Sequence, residues 1–361
     1  MNTYTYRQRN DYQRYQDSCN QYLFSGDSGF VTNDLQQLLL RNNIKPYGNG
    51  TLSLGTQRKL IPSYVRFLYV EYNIACMGYD KNTYSIKADV MNILETHSKH
   101  NLVRKSALHQ SLSCSSFISK TLSFEDFKYT GGIYIFRPCG LSFCGGKDII
   151  IVSSHDEYIT AHTFYTSLIN SRNRPNRRNV NVIVSEYITS PMLFEGRKFH
   201  LRLYLLVVSP FVNVPFKCKI ARHFGEIFTA SKLYVNGDFS NKDIHDTHCD
   251  STPRSLYFPA DFPDQTQLPS LNHQLDILEL ELSAITKDIT PFTEQCKAAY
   301  EVFALDILVL NDTTIKLLEV NDKVGYWPKN KLEESTVNFV RDHSLWQWNE
   351  AILPLLNATK Y

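Results

Sequence analysis

Residues 300–321 read YEVFALDILVLNDTTIKLLEVN. Two apolar, β-rich runs flank the polar tetrad Asn311-Asp312-Thr313-Thr314, which is a turn signal. A two-residue or four-residue loop centred there sets one register: Leu310 faces Ile315, Leu308 faces Leu317, Asp306 faces Glu319, and Asn321 pairs with Ala304 on the same side. Directly opposed side chains have Cβ atoms about 4.5–5.5 Å apart, and like charges there repel. Burying two acids together is costly unless something neutralises them. A hard divalent cation does so, and an oxygen set of this kind suits Mg²⁺. Two other outcomes stay open: one acid is protonated or paired with Lys or Arg, or an odd-length loop sends the two acids to opposite faces.

Outward from the hairpin, composition sets bounds. The chain has 361 residues, enough for two or three domains or one large composite. A formal net charge of +2 gives no global argument for nucleic acid. The 8 cysteines form no C-x-x-C pair and read as reduced thiols. The N-terminus lacks the apolar core of a signal peptide, and the apolar window around Leu201–Val214 is too short to span a bilayer. A soluble, cytoplasmic protein with no membrane partner is expected.

Along the chain, residues 1–25 read as a disordered arm and 26–130 as a small N-terminal α/β domain. In the latter, Asp34–Leu40, Asp89–Leu94 and Lys105–Leu112 have helical spacing, and Ile61–Ala75 is β-rich. Residues 131–195 form a central unit and 196–361 a C-terminal one, with a long polar loop over 236–268. Strands are expected near Gly131–Pro138, Asp148–Ser153, Val180–Ile188, Lys198–Val208 and Asn213–Ala221. Helices are expected over Glu157–Asn170, near Thr293–Tyr300 and over Leu345–Leu356.

Other constellations are weaker alone. The loop Gly140–Lys147 has glycines and a lysine suited to phosphate, but matches no standard phosphate loop; a plain flexible hairpin is the commoner meaning. In the strand after Arg197, Lys198, His200 and Arg202 share one face, while Phe199, Leu201 and Leu203 share the other. The polar face must meet solvent or an anion, and Arg222 adds positive charge nearby in sequence. His245, Thr247, His248 and Cys249 fit no structural zinc spacing; hydrogen bonding to a substrate is the better functional reading. The basic run Arg172–Arg178 reads as a solvated loop, for want of interleaved aromatics.

In order, these blocks resemble the tubulin tyrosine ligase-like family of the ATP-grasp superfamily. The resemblance rests on Phe194-Glu-Gly-Arg-Lys-Phe-His-Leu-Arg-Leu-Tyr-Leu-Leu-Val, on Phe303-Ala-Leu-Asp-Ile with Leu317-Leu-Glu-Val-Asn, on Ile183-Val-Ser-Glu-Tyr-Ile and on Leu102-Val-Arg-Lys-Ser. Asp243-Ile-His-Asp-Thr-His is a fainter match. It implies an α/β ATP-grasp fold, with nucleotide between central and C-terminal sheet domains beside the small N-terminal domain. It implies ATP and Mg²⁺ as cofactors, and an ATP-dependent carboxylate–amine ligase acting through an acyl phosphate. By the same resemblance, Asp306, Glu319 and Asn321 are the metal ligands. Arg137, Lys147, Lys198 and His200 lie along the nucleotide, with backbone groups from Ser185, Glu186, Tyr187 and Ile188 at adenine. Arg202, Arg222 and Lys198 serve the transferred phosphoryl group or the substrate carboxylate. His245, Thr247 and His248 position the acceptor.

The implied partners are a free amino acid and a protein acceptor, tubulin or a tubulin-like tail; a monomer and no nucleic acid are expected. The chain departs from the family pattern at Arg137 (lysine in the family), His200 (aspartate), Ser185 (glutamine), Glu186 (lysine) and His248 (asparagine). Two alternatives therefore stand beside the ligase: a catalytically impaired MgATP-binding protein, and an RNA-binding protein.

Overall fold

A computed structural model describes residues 21–25, 30–52, 64–70, 87–94, 98–139, 148–172, 181–209, 214–247, 252, 254–291, 296–322 and 333–359. The expected N-terminal arm up to residue 20, the glycine loop with Lys147, most of the basic run, His248 and Cys249 lie outside the described residues.

The described strands are, in chain order, β1 (Gln21–Ser25), β2 (Lys45–Leu52), β3 (Tyr64–Val70), β4 (Lys87–Met91), β5 (Thr121–Ser123), β6 (Tyr134–Cys139), β7 (Ile150–Val152), β8 (Asn181–Glu186), β9 (Leu193–Phe194), β10 (Arg197–Val208), β11 (Lys217–Ile220), β12 (Gly225–Thr229), β13 (Leu256–Phe258), β14 (Cys296–Val309) and β15 (Ile315–Asn321). They make two sheets. The larger runs β13-β12-β10-β14-β4-β3-β1-β2, with β9 and β11 on β10 and β15 on β14; the smaller runs β5-β8-β6-β7. This mixed α/β architecture of two sheets agrees with the fold class that the sequence implied.

β14 joins two kinds of pairing. Its first half runs parallel to β4, Cys296 opposite Ala88, and its second half runs antiparallel to β10 and β15. The N-terminal strands are thus continuous with the C-terminal sheet, and Thr121–Ser123 belongs to the smaller sheet. Two expected helices are corrected here. Residues 89–91 lie in β4, where Ala88, Asp89, Val90 and Met91 are all buried. The stretch Cys296–Tyr300 opens β14, between β4 and β10. In both places burial between two neighbouring strands on the sheet overrides a local helical spacing.

Burial follows the two faces of β10. Phe199, Leu201, Leu203, Leu205 and Val207 pack against Leu271, Leu275, Leu278 and Leu282 of the helix Leu268–Thr286. Each such leucine contributes about 1.5–3 kcal/mol when fully buried. Those four leucines lie at helical spacing, a pattern readable in the sequence that the expected elements left out. On the other face Tyr204, Leu206 and Val208 pack with Phe339, Val340, Trp346 and Leu355 of the C-terminal helices. These comprise Glu334–Gln347, a π-helical turn at Trp348–Ile352, and Leu353–Ala358. In the smaller sheet Phe136, Val182 and Val184 pack on Ala161 and Tyr165 of the helix His155–Arg172. Among the described residues no helix is long and apolar enough to cross a membrane.

Candidate active site

The hairpin turns more tightly than a four-residue loop. Leu310 N–H donates to Thr314 O at 2.8 Å, Thr313 N–H donates to Leu310 O at 3.0 Å, and Thr313 takes φ 66°. Three residues, Asn311–Thr313, therefore form the loop. Near the tip Val309 pairs with Ile315, Leu308 with Lys316 and Ile307 with Leu317, so the expected Leu308–Leu317 and Leu310–Ile315 pairs are corrected by one residue. Continued, that register would set Asp306 and Glu319 on opposite faces. A bulge at Leu318 takes up the extra residue, and beyond it Asp306 faces Glu319 while Ala304 faces Asn321. Arg137 of β6 donates to the Leu318 carbonyl at 3.1 Å, tying the smaller sheet to the bulge.

Register carries the acids into a row across four strands. Glu226 of β12 lies opposite Arg202 of β10, Arg202 opposite Asp306 of β14, and Asp306 opposite Glu319 of β15. Arg202 grips Asp306 with Nε and one terminal nitrogen, each 2.8 Å from a carboxylate oxygen. The Phe228 ring lies 5.0 Å from the guanidinium carbon. Asn321 Nδ2 donates to Asp306 Oδ2 at 3.2 Å and to Glu319 Oε1 at 3.0 Å. Lys105, from the helix Lys105–Ser111, meets Glu319 Oε2 at 2.6 Å. Burial pushes the Glu319 carboxyl up, but the Lys105 charge and the hydrogen bonds of Lys105 and Asn321 outweigh it and hold the carboxyl well below the usual range. Glu226 is buried and accepts from the Tyr204 hydroxyl at 2.6 Å. Glu226 is revealed only by the register, and Lys105, in the Leu102-Val-Arg-Lys-Ser block, reaches the row through the packing of its helix.

The donor set fits a magnesium ion. Two carboxylates and an amide are hard ligands of the right class, grouped on one sheet face. The amide nitrogen between the acids becomes an oxygen on a half-turn about its terminal bond. Arg202 on both oxygens of Asp306 and Lys105 on Oε2 of Glu319 show the opposing side of the balance: cations of the chain itself help neutralise the pair.

Around this row the remaining cations differ. Lys198 is buried, donates to the Tyr187 hydroxyl at 3.0 Å and lies 4.6 Å from that ring's centre. No described carboxylate pairs with it, and burial lowers its pKa to about 8. His200 shares Nδ1 with Thr247 Oγ1 at 2.6 Å, stacks on Phe228, and has Nε2 3.7 Å from Asp306 Oδ1. Arg137 donates also to Ser185 Oγ at 3.0 Å and meets His109 Nε2 at 3.1 Å; His109 is held neutral, its pKa lowered to about 3 by burial and by the charges of Arg137 and Lys105. At the end of β8, Glu186 N–H donates to Lys120 O and Tyr187 N–H to Ile133 O, so neither of these two N–H groups is open to a ligand. His245 takes part through Tyr187, which it meets at 2.7 Å.

Arg222 is not brought to the row. It binds Asp276 and Glu279 at 2.9 and 3.1 Å, on the helix that covers the opposite, apolar face of β10. The structure thus gathers Arg137, Ser185, Tyr187, Lys198, His200, Arg202, His245, Thr247, Asp306, Glu319 and Asn321 on the side of the large sheet facing the smaller one.

Comparison with known proteins bears on the family and the fold. The model of the tubulin-tyrosine ligase family matches residues 75–254, ending before the Asp306–Glu319 hairpin. The tubulin polyglutamylase TTLL5 of Mus musculus is 27% identical over 180 residues, 41% of this chain and 13% of that protein. Its Homo sapiens counterpart is 28% identical over 182 residues, covering 41% and 14%. The chain therefore spans about one seventh of the length of these curated relatives. Among solved structures, the C-terminal domain of K. lactis Pby1, an ATP-grasp enzyme that interacts with the mRNA decapping enzyme Dcp2, superposes with a TM-score of 0.60 at 16% identity, covering 93% of this chain and 94% of that one. The blocks quoted from the sequence, the family match over residues 75–254 and the two-sheet fold converge: the chain is similar to the tubulin-tyrosine ligase family and has the ATP-grasp fold.

Proposed function

We propose that this chain is an ATP-dependent carboxylate–amine ligase that joins an amino acid to a protein acceptor through an acyl phosphate. Its family and fold support an ATP-grasp, ligase-like activity; the substrates are our reading. The observation that supports it most is the grouping of Asp306, Glu319 and Asn321 on one sheet face, within a ring of cations. Lys198 adds to this. Among the described residues this buried ammonium faces a neutral hydroxyl and a ring, which is costly, and a phosphate oxygen would offset that cost.

In this reading the ATP phosphates lie between the two sheets. Bound at Asp306, Glu319 and Asn321, Mg²⁺ would neutralise phosphate charge. Lys198 meets a phosphate oxygen, with Arg137, on the side of the smaller sheet, and Lys147, outside the described residues, as further candidates. Arg202 leaves part of its grip on Asp306 for the transferred phosphoryl group or the substrate carboxylate, where two parallel donors suit either anion. The carboxylate oxygen attacks the γ-phosphorus and ADP leaves. An amine nitrogen then attacks the acyl carbon, phosphate leaves with the bonding pair, and the nitrogen gives up a proton. Thr247, with His248, stands for acceptor positioning, and the backbone at Ile188 for adenine. Arg222, if it serves the reaction, must first leave Asp276 and Glu279. A cytoplasmic monomer acting on tubulin or a tubulin-like tail is the assembly we infer.

The test is ATP consumption against a panel of amino acids, with and without tubulin, read with the intact mass of the acceptor. Amino-acid-dependent ADP release with a matching mass gain is expected; ADP release indifferent to every amino acid and acceptor would overturn the reading. One alternative has its own support. Arg202 holds both oxygens of Asp306, and Arg137 is engaged by Leu318, Ser185 and His109, which favours a protein that binds MgATP without turnover. That case gives nucleotide binding with no amino-acid-dependent ADP release.

A further inference from the structure

Lys198, Tyr187 and His245 come from three separate segments and form one directed chain of hydrogen bonds. Lys198 Nζ donates to the Tyr187 oxygen at 3.0 Å. The Tyr187 oxygen lies 2.7 Å from His245 Nδ1, and His245 Nε2 lies 2.6 Å from the carbonyl oxygen of Asp238. A carbonyl only accepts, so Nε2 carries the ring proton. Burial, foremost, keeps the imidazole neutral, so Nδ1 offers a lone pair and takes the Tyr187 hydroxyl proton. The phenol is thereby turned so that its own lone pairs face Lys198. Ring contacts hold the same arrangement: Phe239 stacks on His245 at 24°, and Tyr187 meets both edge-on at 74° and 89°.

We propose that Tyr187 and His245 are positioning residues that hold the Lys198 ammonium, as a cation, toward a nucleotide phosphate, so that the loop from Asp238 to His245 governs anion capture. This rests on the ligase reading for the identity of the anion. It reassigns His245, whose two ring nitrogens are already engaged, from substrate contact to support of Lys198. The titratable groups facing this chain are Tyr187 after β8, Tyr234 in the segment after β12, and Asp238 and His245 in the loop that follows; among the described residues none supplies an ion pair to Lys198. An oxygen lone pair stabilises the charged lysine over the neutral one. Taking it away lowers the fraction of Lys198 that is cationic at slightly alkaline pH.

The experiment uses the full chain labelled with ¹³C at the lysine ε-carbon, with Lys198→Met identifying the signal. Its pH midpoint is expected near 8. Tyr187→Phe should move the midpoint down by about one unit, which cuts the cationic fraction at pH 8 from about one half to about one eleventh, and weaken MgATP binding there about fivefold. His245→Phe, which keeps a ring but removes Nδ1, should shift both in the same direction by less. An unchanged midpoint in both variants, each folded by near-ultraviolet circular dichroism, would overturn the proposal. Should Tyr187→Phe not fold, the His245→Phe midpoint alone decides. Midpoints that move as stated in a protein that never binds MgATP would sink the ligase reading and leave the Lys198 support standing.

Discussion

Arg202 and Asp306 sit directly across from each other on β10 and β14, joined by two hydrogen bonds of 2.8 Å, and both are buried. Breaking such a pair leaves one buried charge without its partner, at a cost of about 3–5 kcal/mol. Arg202→Met and Asp306→Asn should each lower unfolding free energy on that scale in urea titrations. The double variant should lose less than the sum, because neither charge is then stranded. Strict additivity would show that the two residues are not coupled.

Glu319→Gln keeps the shape of the side chain and removes its charge. Because Glu319 is only partly buried and its ion pair with Lys105 reaches the surface, a stability change of about 1 kcal/mol or less is expected. Magnesium-dependent ATP hydrolysis should be abolished, and chelation of the metal should weaken nucleotide binding to the wild type far more than to this variant. A magnesium titration with the wild-type midpoint and turnover would remove Glu319 from the metal site.

Gly225 sits in β12 beside Arg202. A Cβ there would come within 2.6 Å of Leu203 Cδ2 and 2.9 Å of the Arg202 carbonyl oxygen. Gly225→Ala should therefore push β12 off β10, costing about 1–3 kcal/mol. It should also weaken nucleotide binding, since Glu226 and Phe228 are placed against Arg202 by the same pairing. Unchanged thermal stability would mean that the strands part without strain.

His343 is buried among Tyr204, Phe224 and Trp346, and burial lowers its pKa to about 3. In the unfolded chain an ordinary histidine takes a proton near pH 6.5. Between those values the unfolded state binds the extra proton, so stability is greatest above about pH 6.5 and falls as pH drops toward 3. Each such histidine contributes up to about 1.4 kcal/mol per pH unit in that window. His109 behaves in the same way. Urea midpoints of His343→Gln should fall less steeply below pH 6 than those of the wild type; parallel curves would contradict the assignment.

The sequence was most legible where a short-range rule sufficed. Alternation in Lys198–Val208 fixes which side chains share a face, and that strand forms as expected. Asp306 faces Glu319 as the sequence implies, but by a different route: the loop has three residues rather than two or four, and the bulge at Leu318 restores the pairing. What could not be read was long-range. Arg222 lies close in sequence to the basic strand, yet its turn points it to the helical face, where Asp276 and Glu279 wait some fifty residues downstream. Lys105 and Glu226 reach the site only through packing and register, which leave no local periodicity. The helix expected near Thr293–Tyr300 gives way to a strand because Cys296–Ala299 pair with β4 and Tyr300 with β10.

The turn at Asn311–Thr313 and the bulge at Leu318 behave as two compensating frameshifts within one hairpin. A single residue gained in the turn would make the bulge redundant, and a bulge-free ribbon would present Asp306 and Glu319 in the same way. Length variation at this tip is therefore buffered before it reaches the acids, and Arg137, bound to the carbonyl where the frame is restored, marks the boundary between the tolerant tip and the intolerant base.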